Sequence, residues 1–588
     1  MKKKLLSLSI ALMLGMDVAM AVPARPGKIR IQQPNGTYLT IELRGDEYSH
    51  TAYTEDGYPL TLDSQGKQYE YASVCDGKLV ASGIMATDID CRTEAANNYL
   101  KNFDKNSLII YNKVQHEQAE TMRAKQKAKA VEKRSLGDTR LRISNVPTTG
   151  SPKALVVLVE FLDTKFSVYV GDAKSFYTDL LNKPNYSNEY GASGSAFDFY
   201  KASSNGLYTP EFDVYGPVTV SQQESFYAGT SGQANVALMV YEVVKKIDKE
   251  VDFSQYDTDG DGEVDNMYIF YAGKGQADTG TSGLIWPHNA WVSLSGYNIE
   301  KDGVVIDRYA CSSELNGKKG TPLGVGTFVH EFGHVLGIPD LYDTEAQFTS
   351  GYTVGKWDTM CNGSYNNEQN TPPLYSSYER YALGWIEPTV LDPSETKKET
   401  LNPLADENKA FLVPVPQKDS EYFLLENRQQ KGWDEYLPGH GMIVWHIDEN
   451  KDAWMKNAVN NALSNPAGHK CIDIMKADGM ATRDTEDGDA FPGTGNINHG
   501  SFLSWANKKI FNMTDISEDG DLLAFTVGDG STGISSISVN DAKEGPVYSL
   551  DGTRIADNAK NLPKGIYIGC PVRCSEKQML KSPVKLLI

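Results

Sequence analysis

The feature that most constrains this chain is a pair of histidines, His330 and His334, four positions apart. On a helix, residues at this spacing project from one face, so both imidazoles can bind the same metal ion. Two nitrogen ligands favour Zn²⁺ in a site that keeps one position open for water. Glu331 lies beside that face, where its carboxylate can take a proton from the water, whose pKa zinc lowers toward about 7. The sequence therefore predicts a zinc site with Glu331 as general base.

A third zinc ligand is expected just beyond this helix. Gly337 is a natural helix stop because glycine readily adopts a positive φ, and Pro339 then holds the chain extended. Asp340 can thus return toward the metal, and a carboxylate is an acceptable zinc ligand. Asp343 is the competing third ligand and ranks second. The spacing resembles the long metzincin motif H-E-x-x-H-x-x-G-x-x-H, with Asp in the last place.

A methionine follows downstream in Trp357-Asp358-Thr359-Met360. Metzincins place such a methionine beneath the zinc site as a hydrophobic floor, so Met360 is predicted to support the site. A methionine in a turn is weak evidence by itself, because methionine commonly fills gaps in protein interiors. Three other histidines each stand alone in their segments, and we interpret them as structural: His288, His440 and His446.

A second metal site is expected upstream, in an acidic loop with the pattern D-x-D-x-D-G. Oxygen ligands on a loop turned by Gly262 suit Ca²⁺, and Tyr268 stands where an EF-hand has its bidentate Glu. The alternative is a solvated acidic turn, which the mutual repulsion of its carboxylates disfavours. The predicted calcium ligands are Asp257, Asp259, Asp261, Glu263 through its backbone carbonyl, and Asp265.

Composition excludes some classes of function. The chain has 588 residues, with 57 Lys+Arg against 77 Asp+Glu and a formal charge of −20, which argues against nucleic-acid binding. No apolar run approaches the roughly 20 residues of a membrane-spanning helix, so no transmembrane segment is expected. Seven cysteines are too few for a disulfide scaffold, although Cys75/Cys91 or Cys570/Cys574 could pair.

The N-terminus reads as an export signal. Three lysines precede an apolar stretch from Leu5 to Met16, and Ala19-Met20-Ala21 supplies the small residues of a cleavage site. A location outside the cell or on its surface is therefore expected. Further on, residues 101–142 carry eleven Lys+Arg and five Asp+Glu, and a solvated helix within them is expected to end at Lys133-Arg134. This basic connector is typical of a processing linker, and a plain spacer is the alternative.

Residues 330–343, the Trp-Asp-Thr-Met turn and Leu383-Gly384-Trp385 together resemble the immune inhibitor A family of secreted bacterial metallopeptidases, over roughly residues 150–525. The resemblance implies an α+β, metzincin-like zinc peptidase domain with a twisted mixed sheet. It also implies a zymogen whose prodomain acts as intramolecular inhibitor. Metzincins often carry an oxyanion-steadying Tyr two residues after the turn methionine. That position holds Asn362 here, so Tyr365 is the candidate. The last residues resemble the C-terminal sorting domains of Bacteroidetes-type bacteria.

The expected function is a secreted zinc endopeptidase that acts on proteins or peptides. The alternative is a calcium-dependent surface-binding or adhesion protein with a degenerate peptidase domain. The group that blocks zinc in the zymogen stays open between a thiolate of Cys75 or Cys91 and a prodomain aspartate. The expected units are a signal peptide (1–21), a prodomain with the basic helical linker (22–145), the catalytic domain (146–390), an associated β-rich domain (391–530) and a small C-terminal β-domain (531–588).

Overall fold

The computed structural model describes residues 22–528 except 47, 65, 133–141, 143, 230–231 and 346–351, together with short strands nearer both ends. The predicted signal peptide lies outside the described residues apart from a two-residue strand, β1 (Ala19–Met20). The linker residues Lys133 and Arg134 also lie outside them. The division into five units therefore stays a prediction. No helix in the described part of the chain is both long and apolar enough to span a membrane.

The N-terminal part is a six-stranded antiparallel meander with its strands in sequential order. Along β3, buried and less buried residues alternate, as expected where one face of a sheet covers a core. Hairpin turns lie at Asn35-Gly36, Asp56-Gly57 and Asp76-Gly77, each with a glycine at positive φ. The elements are β2 (Lys28–Gln32), β3 (Tyr38–Gly45), β4 (His50–Thr54), β5 (Pro59–Leu62), β6 (Tyr69–Cys75), β7 (Lys78–Met85), α1 (Glu94–Lys101) and α2 (Lys105–Glu132).

The central part is a six-stranded mixed sheet covered on both faces. Its members are β8 (Lys153–Glu160), α3 (Ala173–Asn182), α4 (Ala196–Ser203), β9 (Glu211–Thr219), α5 (Glu224–Ala228), α6 (Val236–Ile247), β10 (Met267–Lys274), α7 (Gln276–Thr279), β11 (His288–Trp291), β12 (Glu300–Lys301), β13 (Val304–Val305), β14 (Arg308–Leu315) and α8 (Gly326–Val335). Strand order is β1-β11-β14-β10-β8-β9, with β12 and β13 forming a separate hairpin.

Within this sheet β9, β8, β10 and β14 are parallel, whereas β11 and β1 are antiparallel to their neighbours. Successive residues of β8 enter two different cores: Val156 and Leu158 pack with Phe328 of α8, whereas Val157 packs with Val240 of α6. The continuous apolar run of β8 is thus explained by burial on both faces of the sheet. The mixed α/β architecture is confirmed, and α8 lies on one face of the sheet.

The C-terminal part is β-rich. After α9 (Ser377–Ala382) come β15 (Thr389–Val390), β16 (Lys397–Leu401), α10 (Leu404–Glu407), β17 (Phe411–Pro414), β18 (Glu421–Arg428), β19 (Gly441–Asp448), α11 (Lys451–Met455), β20 (Ile472–Ile474), β21 (Gly500–Leu503), β22 (Lys509–Asp519) and β23 (Leu522–Gly528). They form sheets of order β15-β17-β18-β19-β20 and β16-β23-β22-β21, which share one apolar core. Short 3₁₀ helices occupy Ile89–Cys91, Phe253–Tyr256, Val292–Ser295, Gly355–Trp357, Asn362–Gln369, Gly432–Asp434 and Arg483–Gly488.

Two expectations need correction. Residues 373–383, whose spacing of Leu and Tyr favours a helix, are helical only from Ser377. The carboxylate of Glu379 accepts the backbone N–H of Ser376 at 2.6 Å and fixes the helix start there. Cys75 and Cys91 are free thiols and both exposed, so the disulfide considered between them is not made. Cys570 and Cys574 lie outside the described residues.

At the C-terminus the described residues form four short strands, β24 (Val547–Tyr548), β25 (Arg554–Ala556), β26 (Ile566–Gly569) and β27 (Val584–Leu587), in the order β25-β24-β26-β27. The rest of residues 529–588 lies outside the described part. The sorting role expected for this region stays a prediction.

Candidate active site

Both histidines lie on α8, and every residue of this helix is buried. Nδ1 of His330 lies 2.8 Å from the carbonyl oxygen of Thr359, and Nδ1 of His334 lies 2.8 Å from that of Ile338. A carbonyl oxygen can only accept, so each Nδ1 carries the proton and donates it. Each Nε2 is therefore left with a lone pair, the form in which histidine binds a metal.

The carboxylate of Asp340 lies close to both imidazoles. Its Oδ1 lies 3.2 Å from Nε2 of His330 and 3.3 Å from Nε2 of His334. Gly337, at φ +97°, ends the helix, and Asn457 then fixes the returning chain: its Nδ2 donates to Oδ2 of Asp340 at 2.5 Å, and its Oδ1 accepts from the Asp340 backbone at 2.8 Å. Asp343 is instead turned to its own loop, where it accepts the backbone N–H of Glu345 at 2.9 Å. The structure thus brings Asp340, and not Asp343, to the histidines.

The three side chains fit a metal ion. Their ligand atoms lie within 4.8 Å of one another, and Nε2 of both histidines and Oδ1 of Asp340 have no hydrogen-bond partner among the described residues. Two imidazole lone pairs facing a carboxylate oxygen in a buried site repel one another unless a cation lies between them. Two neutral nitrogens and one carboxylate are a typical zinc ligand set.

Glu331 is fully buried beside this group, and its Oε2 also has no hydrogen-bond partner among the described residues. Its Oε1 accepts a hydrogen bond of 2.9 Å from the backbone N–H of Val22. Burial, and then the negative charge of Asp340, raise the pKa of Glu331 well above its usual value. A buried carboxylate with one unpaired oxygen is equipped to exchange a proton with a group bound beside it.

Met360 lies beneath α8 and is fully buried. A Cβ added to Gly333 would meet the Met360 sulfur at 2.6 Å and the Tyr375 hydroxyl at 2.6 Å, so only glycine allows this approach. The turn also holds the site, because Thr359 accepts from His330 and the carbonyl oxygen of Met360 accepts the Leu341 N–H at 2.9 Å. The turn thus ties the first histidine to the loop that carries Asp340.

The residues of this site lie in a segment that matches a known protein family. Residues 142–385, which contain the whole constellation, match the family model described as immune inhibitor A peptidase M6, catalytic domain. This segment is an immune inhibitor A-type metallopeptidase domain. The predicted resemblance to the immune inhibitor A family is confirmed for this segment.

Relatives of this peptidase domain include pre-pro-metalloprotease PrtV of Vibrio cholerae serotype O1 (strain M66-2), 24% identical over 376 residues, which are 55% of this chain and 39% of that protein. Immune inhibitor A of Bacillus thuringiensis subsp. alesti is 28% identical over 267 residues, 38% of either chain. The chain thus spans less than half the length of these curated relatives. Metalloproteinase-II from Bacteroides fragilis matches at 12% identity and a TM-score of 0.21, covering 61% of this chain and 91% of that chain.

Residues 22–25, which we call the cleft segment, run through the peptidase site. Besides the bond from Val22 to Glu331, Nε1 of Trp286 donates to the Val22 carbonyl at 3.2 Å, and the Tyr365 hydroxyl donates to the Pro23 carbonyl at 2.8 Å. Just before this segment, β1 pairs antiparallel with β11 at the edge of the central sheet. The cleft segment therefore crosses the peptidase site directly after an added strand at the sheet edge.

Tyr365, the candidate oxyanion residue, is thus in the cleft and contacts the peptide backbone. Its hydroxyl reaches the carbonyl of residue 23, which is one residue beyond the Val22 nitrogen held by Glu331. The role predicted for it stays a prediction. Cys75 is exposed at the end of β6 and Cys91 in the 3₁₀ helix that follows the meander, so neither thiol is in the position of a blocking ligand.

The acidic loop lies at the entrance to β10. Carboxylate oxygens of Asp257, Asp259 and Asp265 lie within 4.8 Å of one another. The Asp261 carboxylate is not part of this trio and accepts the Glu263 N–H at 2.9 Å, while Glu263 forms a bridge with Val305. Burial, partly offset by Thr258, raises the pKa of Asp265 to about 7, and the charges of Asp259 and Asp257 contribute. The loop gathers three of the five predicted calcium ligands through side-chain oxygens.

The three histidines interpreted as structural each have a protein partner. His288 contacts the Trp286 carbonyl and the Tyr309 hydroxyl at 2.6 and 2.9 Å, His440 contacts Glu518, and His446 contacts Glu421. Sequence reasoning missed Asn457, Trp286 and the cleft segment. No local pattern marks Asn457, which lies 117 positions from Asp340. Pro23 and Pro26, which favour an extended chain, are a weak signal for the cleft segment.

Proposed function

We propose that the chain is a secreted zinc endopeptidase made as a zymogen. The observation that carries this proposal is the convergence of two imidazole lone pairs and one carboxylate oxygen, all buried and without hydrogen-bond partners among the described residues, beside Glu331. His330, His334 and Asp340 would hold Zn²⁺. The metal supplies Lewis-acid polarisation of the scissile carbonyl and a more acidic water.

Glu331 provides the proton transfers. Its carboxylate takes a proton from the attacking water and then passes it to the nitrogen of the leaving amine. The second transfer is supported by distance, because Oε1 of Glu331 already lies 2.9 Å from the backbone nitrogen of Val22. The Val22 nitrogen thus stands at the position that the nitrogen of a leaving amine would take. Met360 and Thr359 keep the helix and the first histidine in place, and Trp286 and Tyr365 hold the peptide backbone.

The N-terminal part of the chain is proposed as the inhibitory prodomain. It supplies the cleft segment, which takes the place of a substrate across Glu331. Removal of a leader ending at Ala21 would turn the Val22 amide into an α-ammonium group, whose charge strengthens the hydrogen bond to Glu331. We propose this chain end, rather than a thiolate or an aspartate, as the blocking group. Release then requires cleavage in the basic linker.

Ca²⁺ is proposed as a structural metal in the acidic loop, held by Asp257, Asp259 and Asp265 with Asp261 and the Glu263 carbonyl as further predicted ligands. Support comes from the three gathered carboxylates and from the half-buried position of Asp265, two residues before β10 begins. A metzincin-like arrangement of the peptidase domain and export by the N-terminal signal complete the proposal. The alternative, an adhesion protein with a degenerate site, is disfavoured because Glu331 and both histidines are present and gathered.

The first test is activity. The processed protein is expected to degrade casein, to lose this activity with a zinc chelator and regain it with Zn²⁺, and to lose it in Glu331→Ala because no carboxylate then accepts the proton of water. Removing such a group typically lowers kcat by about 10²–10⁴-fold. Glu395→Gln, an exposed carboxylate far along the chain, is the control and should keep full activity. Full activity in Glu331→Ala would refute the mechanism.

A second test concerns processing. The basic linker predicts that N-terminal sequencing of active enzyme finds a start between residues 130 and 155. An active form that begins at Val22 would show that no prodomain has to be removed.

A further inference from the structure

The cleft segment indicates where a substrate lies. A peptide binds readily to the free edge of a sheet as an added strand, and β1 occupies that edge on β11, with Ala19 opposite Ala290 and Met20 opposite Asn289. The chain continues past Glu331, where the Val22 nitrogen stands at the position of a leaving amine. Residues after Val22 therefore mark the positions of a substrate on the leaving-amine side of its scissile bond.

Arg25 is the charged residue of this segment, and its guanidinium group lies between two carboxylates. Its Nη1 lies 2.7 Å from Oδ1 of Asp278, and its Nη2 lies 2.6 Å from Oε2 of Glu368. The Asp278 side chain is only 5% exposed and that of Arg25 is 15% exposed. The Arg25 backbone N–H also donates to the carbonyl of Ala277 at 3.0 Å. Backbone and side chain are thus both bound at this position.

The two carboxylates belong to the peptidase domain and are fixed independently of Arg25. Asp278 lies in α7 and accepts the backbone N–H of Gly317. Glu368 accepts Nδ2 of Asn316 at 3.2 Å. Glu368 also lies in a run of three non-glycine residues at positive φ, with φ of 47°, 55° and 71° at Asn367, Glu368 and Gln369. Such strained backbone persists where the surrounding structure imposes it, and it is common at binding sites.

Resting on the proposed function, we infer that Asp278 and Glu368 form a subsite for a basic substrate side chain, at the fourth residue after the scissile bond. When the cleft segment leaves, two largely buried carboxylates lose their cation, and a peptide arginine or lysine restores the pairing. Arginine fits best because its guanidinium can donate to both carboxylates at once.

The charge of the basic connector agrees with this subsite. Residues 101–142 hold eleven Lys+Arg and five Asp+Glu, in a chain whose formal charge is −20. A peptidase that selects a basic residue beyond the scissile bond would find several suitable bonds in this connector. The same preference would then serve processing of a second copy of the chain.

The test measures peptide binding to the full chain, with residues 22–25 replaced by Gly and Ser and with Glu331→Gln to prevent hydrolysis. The probe is a fluorescent peptide with the sequence of residues 19–27, carrying Arg, Lys or Ala at the position of Arg25. The Arg peptide is expected to bind about tenfold more tightly than the Ala peptide, the effect of a charge-assisted hydrogen-bond pair. Asp278→Asn with Glu368→Gln should abolish this difference, and Glu395→Gln should keep it.

Equal affinity of the Arg and Ala peptides would overturn the inference and leave the two carboxylates as an anchor for the N-terminal part alone. The comparison of Arg and Ala peptides uses the protein with Asp278 and Glu368 intact. It therefore tests the inference even where the double variant fails to fold. Cleavage separates this inference from the proposed function. An active enzyme without preference for Arg or Lys at this position refutes the subsite only, whereas a retained binding preference in an inactive protein refutes the peptidase proposal only.

Discussion

At the scale of single residues, the site depends on groups that orient the proposed ligands rather than on the ligands alone. Thr359 and Ile338 fix the protonated nitrogen of each histidine through their carbonyl oxygens. Asn457 orients Asp340, because its Nδ2 donates to the Asp340 carboxylate and its Oδ1 accepts the Asp340 backbone N–H. Such partners raise metal affinity because they hold each ligand in its binding orientation before the metal arrives.

We therefore expect Asn457→Ala to weaken zinc binding by about 10–100-fold, the usual effect of losing a group that orients a ligand. Asp340 would lose both amide contacts and sample other orientations. Competition with a fluorescent zinc chelator measures the affinity, with Asn402→Ala, at an exposed site, as the matched control. Unchanged affinity in Asn457→Ala would mean that the loop positions Asp340 without this amide.

The sequence was sufficient to predict the proximity of site residues that share a helix. It was insufficient for residues that are distant in the chain and are brought together by the fold. The spacing of His330 and His334 defines one face of α8, and Gly337 marks its end, so the motif predicted their proximity. It left Asp340 and Asp343 open because the path of the loop after Pro339 depends on Asn457, from a distant segment. Val22 was unpredictable for the same reason: its contact with Glu331 spans 309 positions.

At the scale of elements, the packing of α8 on the methionine turn sets how closely the two can approach. Gly333 faces Met360 and Tyr375 on the side of the helix away from solvent, and the Tyr375 hydroxyl donates to the Val329 carbonyl at 2.8 Å. Glycine weakens a helix, so its presence here reflects the space that the turn needs.

In a helix free of neighbours, Gly333→Ala would stabilise the protein by roughly 1 kcal/mol, because alanine is the better helix former. Here the new Cβ overlaps the Met360 sulfur, so we expect net destabilisation of about 1–3 kcal/mol, as for other overpacked cores. Denaturant unfolding measures this change. In the control Gly495→Ala, the Cβ would meet only the Ile497 side chain at 3.3 Å, and a small effect is expected. A stabilised Gly333→Ala would show that the helix and turn separate easily.

The acidic loop is the other element whose stability can be tested. Ca²⁺ at millimolar concentration is expected to raise the melting temperature of the protein, because it neutralises the gathered carboxylates, and Asp265→Asn should reduce this shift. Thermal unfolding with and without Ca²⁺ at constant ionic strength checks this, with Asp302→Asn in a neighbouring turn as the control. Equal shifts in Asp265→Asn and the unmutated chain would place the calcium effect elsewhere.

At the scale of the whole molecule, the N-terminal meander is held on the peptidase domain by contacts around the cleft. His50 stacks on Trp286 with ring centroids 4.4 Å apart, and Leu39, Ile41 and Ala277 share one apolar cluster. The cleft segment adds the ion pairs of Arg25. The composition predicted a basic linker, but not this docking, because surface complementarity leaves no pattern in a single sequence.

We expect Arg25→Ala to loosen the cleft segment and accelerate processing of the full chain, because Asp278 and Glu368 lose their shared partner. Hydrogen exchange of residues 22–30 and the rate at which a shorter form appears both measure this. Arg30→Ala is the matched control, since Arg30 is exposed and lies over the Tyr38 ring, away from the cleft. Identical exchange in the Arg25 variant and the unmutated chain would show that the remaining contacts suffice.

The pairing of β1 with β11 has a further consequence for the export and latency proposed above. Ala19 and Met20, which form that strand, belong to the stretch assigned to the leader, whereas Val22 and the residues after it stay with the protein. Leader removal would thus remove β1 from the edge of β11 and leave residues 22–25 bound on the other side of Glu331. The latent molecule would have an unpaired edge on β11 next to a catalytic centre that residues 22–25 still block. It could already dock the first half of a foreign polypeptide before it is able to cut it.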